Sequence, residues 1–152
     1  MIKHAWSIVC RESKIDAQTN NISILDTYES LQFGMNIDDP TYKQGAPLAL
    51  PFKFEVVNLF YRDKIAEYPE SQAVIIITDP KGNELGEFSA EIRFVEDETR
   101  MRSIFKFEDI SLSISGTYTY SVYIRDSKKP EKQKLVAEAP LQIAINVNGQ
   151  EI

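Results

Sequence analysis

Apolar and polar side chains alternate with a period of two in several short runs of this chain. Such alternation is typical of a β-strand with one buried face, because successive side chains of a strand point to opposite sides. The three clearest runs are Gly86–Phe94, Tyr118–Ile124 and Leu141–Val147. In the first run, the residues predicted to face inward are Gly86, Phe88, Ala90, Ile92 and Phe94. A helix would repeat its apolar positions every three or four residues, so we predict strands.

Weaker strand patterns occupy much of the remaining chain. His4–Arg11 and Ile22–Glu29 flank the polar stretch 16–21, which is typical of a hairpin turn. Val56–Tyr61 and Val74–Ile77 are apolar on both faces, so each needs an outer cover supplied by a loop or by a second subunit. Phe105–Phe107 adds a short strand.

About eight short strands separated by turn residues predict an all-β fold. We expect one domain over residues 1–152, because a chain of 152 residues is about the size of a single core. The predicted architecture is an antiparallel β-sandwich of about seven to nine strands. Two long connections, Gly34–Ala49 and Arg62–Ser71, interrupt it, and loops of this length are uncommon unless they are functional or mobile.

The segment Leu112–Ile124 resembles the penultimate strand of many immunoglobulin-like domains. In that pattern a glycine and a threonine precede a core tyrosine, as Gly116, Thr117 and Tyr118 do here. The glycine forms the corner into the strand, and the tyrosine hydroxyl bonds to backbone nearby. The resemblance implies an immunoglobulin-like sandwich and says little about function.

Four pieces of the chain together resemble a family of uncharacterised, mostly bacterial proteins with the immunoglobulin-like β-sandwich fold. The pieces are Ala5–Cys10, Ile22–Tyr28, Thr78–Leu85 and Gly116–Tyr118. The resemblance supports the fold and implies no activity or cofactor that could be transferred to this chain.

Charge and targeting signals narrow the classes of partner. A formal net charge of −6 argues against nucleic acid, whose binders normally present a basic face. The one dense basic stretch, Lys128–Lys134, is interpreted as a solvated hairpin tip. No apolar run is long enough for a membrane span, and no secretory leader is recognisable. With Cys10 as the single cysteine, these features favour the cytoplasm.

Residues able to perform catalysis are scarce. His4 is the one histidine, and Cys10 lies about 20 Å away along the same predicted strand, too far for a Cys–His pair. We therefore expect no enzyme, no cofactor and no metal site, and a hydrolase acting through His4 is the minor alternative. Asp38-Asp39 and Glu96–Glu98 are interpreted as solvated turns, with calcium as a weaker alternative.

Tyrosines off the alternating faces mark the candidate binding surface: Tyr42, Tyr61, Tyr68 and Tyr123. Tyrosine is favoured at interfaces, since it offers a large contact area with a polar tip. The explanation that we favour for these tyrosines is that the long loops fold back over the sheet and cover them, with a protein interface second and a carbohydrate platform third. Our leading hypothesis is a non-catalytic module that contacts another protein or itself. The alternative is a carbohydrate-binding module of the cell envelope that has lost its leader.

Overall fold

The computed structural model describes residues 1–65 and 70–152, and these residues form β-strands and no helix, hence no helix able to cross a membrane. The strands are β1 (Ile2–Ile15), β2 (Ile22–Thr27), β3 (Ser30–Met35), β4 (Leu48–Arg62), β5 (Ser71–Thr78), β6 (Glu84–Ile92), β7 (Arg100–Leu112), β8 (Gly116–Asp126), β9 (Gln133–Val147) and β10 (Gln150–Glu151). The all-β prediction is confirmed, with ten strands in the described residues where seven to nine were expected.

The strands form two sheets that pack as a sandwich. The four-stranded sheet has the order β2-β1-β4-β7, and the six-stranded sheet has the order β10-β9-β8-β5-β6, with β3 also paired to β9. In immunoglobulin lettering, β1, β4 and β7 take the places of strands A, B and E, and β9, β8, β5 and β6 those of G, F, C and C′. One pair corrects the antiparallel prediction, because β3 runs parallel to β9.

The two strands with the clearest alternation supply the centre of the core. Tyr118, Tyr120 and Val122 of β8 are at most 1% exposed, and every second residue of β9 from Leu141 to Val147 is also buried. Their polar neighbours on β9, Gln142 and Asn146, are exposed. The predicted inward faces of these two strands are therefore confirmed.

The predicted corner before β8 is present and fully bonded. The Tyr118 hydroxyl accepts a hydrogen bond from the Ser113 backbone N–H at 2.8 Å and donates one to the Ile114 carbonyl at 2.7 Å. Gly116 has φ +144°, and a Cβ there would lie 2.8 Å from Pro80. Only glycine fits this corner without displacing the neighbouring turn, so the Gly-Thr-Tyr pattern is a requirement of the fold.

The predicted strand Ile22–Glu29 corresponds to the whole of β2 and the two residues that follow it. β2 ends at Thr27, just after Asp26 adopts φ +53°, and β3 begins at Ser30 in the opposite sheet. β3 was not among the predicted strands, and because it extends to Met35 the first long connection begins later than the predicted Gly34.

The inward face predicted for β6 is wrong for its middle residues. Phe88 is 42% exposed and Ala90 is exposed, because β6 is the edge strand of its sheet. Phe88 meets the four-stranded sheet only edge-on at Phe107, with ring centroids 5.0 Å apart. Phe94 lies beyond the strand and packs against the guanidinium of Arg62 at 4.8 Å.

The β1–β2 hairpin covers the outer face of the four-stranded sheet. β1 pairs with β4 only as far as Cys10, yet Arg102 of β7 donates to the Asn20 backbone and side-chain oxygens at 2.7 and 2.8 Å. Arg102 lies opposite Leu59, near the middle of the sheet. Asn20, at the tip of the hairpin, can reach Arg102 only if the hairpin folds back across the outer face.

Burial on this outer face agrees with the cover. Val57 and Cys10 belong to no part of the inter-sheet core, but both are 0% exposed. Glu55 accepts hydrogen bonds from the Ser13 backbone N–H at 3.2 Å and hydroxyl at 2.5 Å, which fastens the hairpin. The outer cover expected for Val56–Tyr61 thus comes from the chain itself, through the β1–β2 hairpin.

Candidate functional site

The main candidate site is a groove at one end of the sandwich, which we call the terminal groove. Its volume is about 630 Å³. It lies between the start of β1, the end of β4 and the adjoining parts of β5, β8 and β9, and its lining residues are Met1, Ile2, Lys3, His4, Tyr61, Ser71, Ile124, Asp126, Lys132, Lys134, Leu135 and Val136. Apolar and basic side chains therefore meet in one concave surface.

Two open strand edges border the terminal groove. On β1, β4 occupies one edge from Ile2 onward, whereas β2 joins the other edge only from Cys10. On β9, β8 occupies one edge, whereas β3 joins the other only from Gln142. Within the described part of the chain, the first halves of both strands thus have one edge without a partner strand.

β-Bulges interrupt both strands at the groove. The ladder between β1 and β4 shifts between His4 and Trp6, and the ladder between β8 and β9 shifts next to Val136. Lysines on an edge strand hinder its pairing with the same edge of a second copy, because like charges would meet. The lysine-bearing edge of β9 is therefore guarded against pairing with itself, while no described strand pairs with it before Gln142.

The charges around the groove are mainly positive. Lys132 and Lys134 are exposed and form no ion pair within residues 1–65 and 70–152. Lys3 bonds to Asp63 at 2.8 Å, and its ammonium lies 5.8 Å from the centre of the Tyr61 ring. Asp126 accepts from the backbone N–H groups of the following turn, so its carboxylate shapes the hairpin.

Apolar surface is exposed beside these lysines. Leu135 is 44% exposed, and Tyr61 and Ile124 are half-buried. The sequence-based interpretation of residues 128–134 as a solvated tip therefore did not anticipate the apolar side chains beside the lysines. The available signal was a leucine and a valine directly after the basic run, which a purely solvated tip does not need.

The single histidine belongs to a polar cluster on the inner side of the four-stranded sheet. His4 Nε2 lies 2.7 Å from Ser7 Oγ, which donates its proton to Asn58 Oδ1 at 2.6 Å. Asn58 in turn donates to the Ser103 carbonyl at 3.4 Å. The Ser7 hydroxyl proton is thus directed at Asn58 and not at His4. A nucleophilic serine would need the histidine as the acceptor of that proton.

Burial acts on both residues that were weighed for catalysis. It lowers the pKa of His4, which is consequently neutral at pH 7. Burial, followed by the nearby Glu55 carboxylate, raises the pKa of the Cys10 thiol to about 11. Cys10 is 0% exposed, which confirms the expected buried side chain and keeps its reactive thiolate scarce at neutral pH.

The three candidate tyrosines within the described residues do not form one surface. Tyr61 lines the terminal groove, and Tyr123 is half-buried on the outer face of the six-stranded sheet, beside Val74 on β5. Tyr42 packs against the core from residues 36–47, with its hydroxyl buried and unbonded. Tyr68 lies outside the described residues.

A second concavity, the aromatic groove, lies where β1 separates from β4. Its volume is about 490 Å³, and its lining residues are Arg11, Glu12, Tyr28, Phe52, Lys53, Phe54, Glu55, Lys106, Phe107 and Glu108. The rings of Tyr28 and Phe52 are 5.8 Å apart, and those of Phe54 and Phe107 stack at 4.7 Å. Three of these rings, on Tyr28, Phe52 and Phe107, are only half-buried.

The acidic residues considered as calcium ligands lie in separate turns, and their contacts are local to those turns. Asp39 accepts from the backbone N–H and the hydroxyl of Thr41, which lowers the pKa of its carboxyl group. Asp97 occupies a turn with φ +67°. No three potential metal-ligating side chains come together in the part of the chain that the structure describes.

Comparison with known proteins adds one distant likeness. No family model and no curated protein matches the chain. A crystal structure of an immunoglobulin-like protein from Pseudomonas aeruginosa is similar over 94% of this chain and 96% of that one, with 9% identity and a TM-score of 0.40. At that distance the likeness carries no argument about function. The immunoglobulin-like description depends on this chain's own strand order and corner, and the family resemblance stays a prediction.

Proposed function

We propose that this β-sandwich is a non-catalytic module that binds another protein through the terminal groove. The observation that carries the proposal is the exposed Leu135 directly after Lys134, in a groove that the half-buried Tyr61 also lines. Apolar and tyrosine side chains at the centre of a concave surface, with charges at its rim, are what protein interfaces present. The basic rim has the opposite sign to the net charge of −6.

The non-catalytic part of the proposal is supported by the cluster around His4. The hydrogen bonds of Ser7 run toward Asn58, so this serine is not activated by the histidine. Binding in the terminal groove needs no change in that cluster, because His4 only lines the groove.

A photo-crosslinking experiment in cells that naturally make the protein tests the proposal. Benzoylphenylalanine in place of Leu135 should give a discrete crosslinked species, whereas the same group in place of Val95, which is 72% exposed elsewhere, should not. The double substitution K132E/K134E should remove most of the crosslink. Equal crosslinking from both positions, or none from position 135, would exclude the groove as the interface. Fractionation of the same cells tests the proposed cytoplasmic location.

Self-association is the other form that protein contact could take. The guarded edge of β9 and the net charge of −6 disfavour it, because two copies repel each other. Light scattering at high protein concentration should therefore report a monomer. A stable dimer that K132E/K134E disrupts would show that the groove binds a second copy instead.

The aromatic groove supports the alternative function, carbohydrate binding at the cell envelope. Half-buried rings such as Tyr28 and Phe52 can stack on sugar faces, and Arg11 and Glu108 could bond to hydroxyl groups. A glycan array would detect this activity, and Y28A should abolish it while V95A, at an exposed site outside the groove, should not. An array without hits would remove the alternative.

A further inference from the structure

We propose that the partner is an extended acidic segment that binds as an added strand along the open edge of β9 at residues 133–137. This inference rests on the proposed function and specifies how the groove is used and by which class of partner. Strand addition at an exposed sheet edge draws its affinity from backbone hydrogen bonds and its specificity from alternate side chains.

The backbone of β9 has hydrogen-bonding groups available along this edge. Further along β9, the Gln142 N–H points away from β8 and donates to the Glu29 carbonyl at 3.0 Å, ahead of β3. Successive residues of a strand direct their backbone groups to alternate edges. Before residue 142 no described strand pairs with this edge, although β1 contacts β9, so an added strand would continue the line of β3 beside β1.

Pro140 and the crossing between β2 and β3 limit the length of the unpaired edge of β9. Pro140 has no N–H and interrupts donation along the edge. The chain crosses from β2 to β3 through Tyr28, whose N–H donates to the Val9 carbonyl at 2.8 Å. An added strand therefore fits on the groove side of this crossing, and five residues there span roughly 17 Å.

Charge determines the composition of the segment. Lys132 and Lys134 flank the edge, and Lys3 faces it from β1. Acidic side chains on the added strand would meet these ammonium groups and would be repelled by the rest of a chain with a net charge of −6. Apolar side chains at the alternate positions would contact Leu135, which lies on the opposite face of β9 from Lys134. The expected segment alternates acidic and apolar residues.

The test uses fluorescein-labelled octapeptides of defined composition and measures anisotropy with the full chain. A peptide of alternating glutamate and valine should bind, and its lysine–valine counterpart should bind at least tenfold more weakly. N-methylation of alternate amides along one edge should also cost at least tenfold, because it removes backbone donors without changing the charge. Amide exchange at residues 133–137 should slow when the peptide binds.

Matched variants separate groove binding from general electrostatics. K132E/K134E should weaken binding of the glutamate peptide at least tenfold, whereas K53E/K106E, an equal change of charge at the aromatic groove, should change it less than threefold. Circular dichroism checks that both variants fold. Binding that ignores N-methylation, or that responds equally to both variants, overturns the inference. If Leu135 crosslinks in cells while no peptide binds, strand addition is wrong and the proposed function stands.

Discussion

The two halves of strand β1 have opposite surroundings. From Cys10 onward β1 pairs with β2, and the hairpin folds over its own sheet so that Val57 and Cys10 are 0% exposed. From Ile2 to Val9 the same edge has no partner strand in the described residues, and the strand borders the terminal groove. One half uses its apolar neighbours for stability, and the other leaves apolar surface available to a partner.

This comparison shows why apolar sequence alone does not identify a binding surface. Leu59 and Val57 beneath the hairpin, and Leu135 in the groove, all look alike in the sequence pattern. What separates them is whether another part of the chain lies on top. The predictions below test that difference with substitutions on each side.

The largest effect is expected under the hairpin. V57A removes two methyl groups from a fully buried site and should lower the free energy of unfolding by roughly 2.5 kcal/mol. V95A is the matched control, because Val95 is 72% exposed, and should change it by less than about 0.5 kcal/mol. Denaturant unfolding measures both, and equal effects would mean that the hairpin does not cover Val57.

The second-largest effect is expected at alkaline pH, which should lower the free energy of unfolding through the buried Cys10. The thiol of Cys10 has a pKa of about 11 when folded, against an ordinary value near 9 in the unfolded chain. As pH rises from 9 to 11, the unfolded chain therefore releases this proton before the folded protein does. This difference should lower the free energy of unfolding by about 2 kcal/mol at pH 11. In C10A this component should be missing. Parallel pH profiles for the two proteins would contradict the buried thiol.

A smaller effect is expected where the hairpin is fastened. S13A removes the hydroxyl that donates to Glu55 and should cost about 1.5 kcal/mol. Because the hairpin opens more often, a thiol reagent should modify Cys10 roughly tenfold faster. S89A, on an exposed site of β6, should leave the rate unchanged. An unaltered rate in S13A would mean that the hairpin does not control access to Cys10.

The smallest effect on stability is expected in the groove. L135A should change the free energy of unfolding by less than about 0.5 kcal/mol, because Leu135 is 44% exposed. It should nevertheless reduce binding of the glutamate–valine peptide several-fold. A substantial loss of stability in L135A would show that Leu135 stabilises the fold, as Val57 does, and is not surface left available for binding.

Prediction from the pattern succeeded where one face of a strand is buried by the main core. Alternate residues of β9 from Leu141 to Val147, and Tyr118, Tyr120 and Val122 of β8, are buried as expected, since these faces meet the opposite sheet. Ser121 is buried as well, so β8 is also covered on its outer face at that point. It failed for Phe88, because alternation does not reveal that β6 is an edge strand. Of the candidate tyrosines, Tyr61 lines the groove, whereas nothing in the local sequence indicated that Tyr42 packs on the core.

By itself, the sequence determined the strand periodicity and the Gly116–Tyr118 corner, because these depend on local geometry. The tertiary structure alone decided which apolar faces are covered and which edges stay open. It joined β3 in parallel to β9, folded Asn20 back onto Arg102 and left Leu135 beside two lysines. Those outcomes depend on contacts between residues far apart in the chain, which no local alternation encodes.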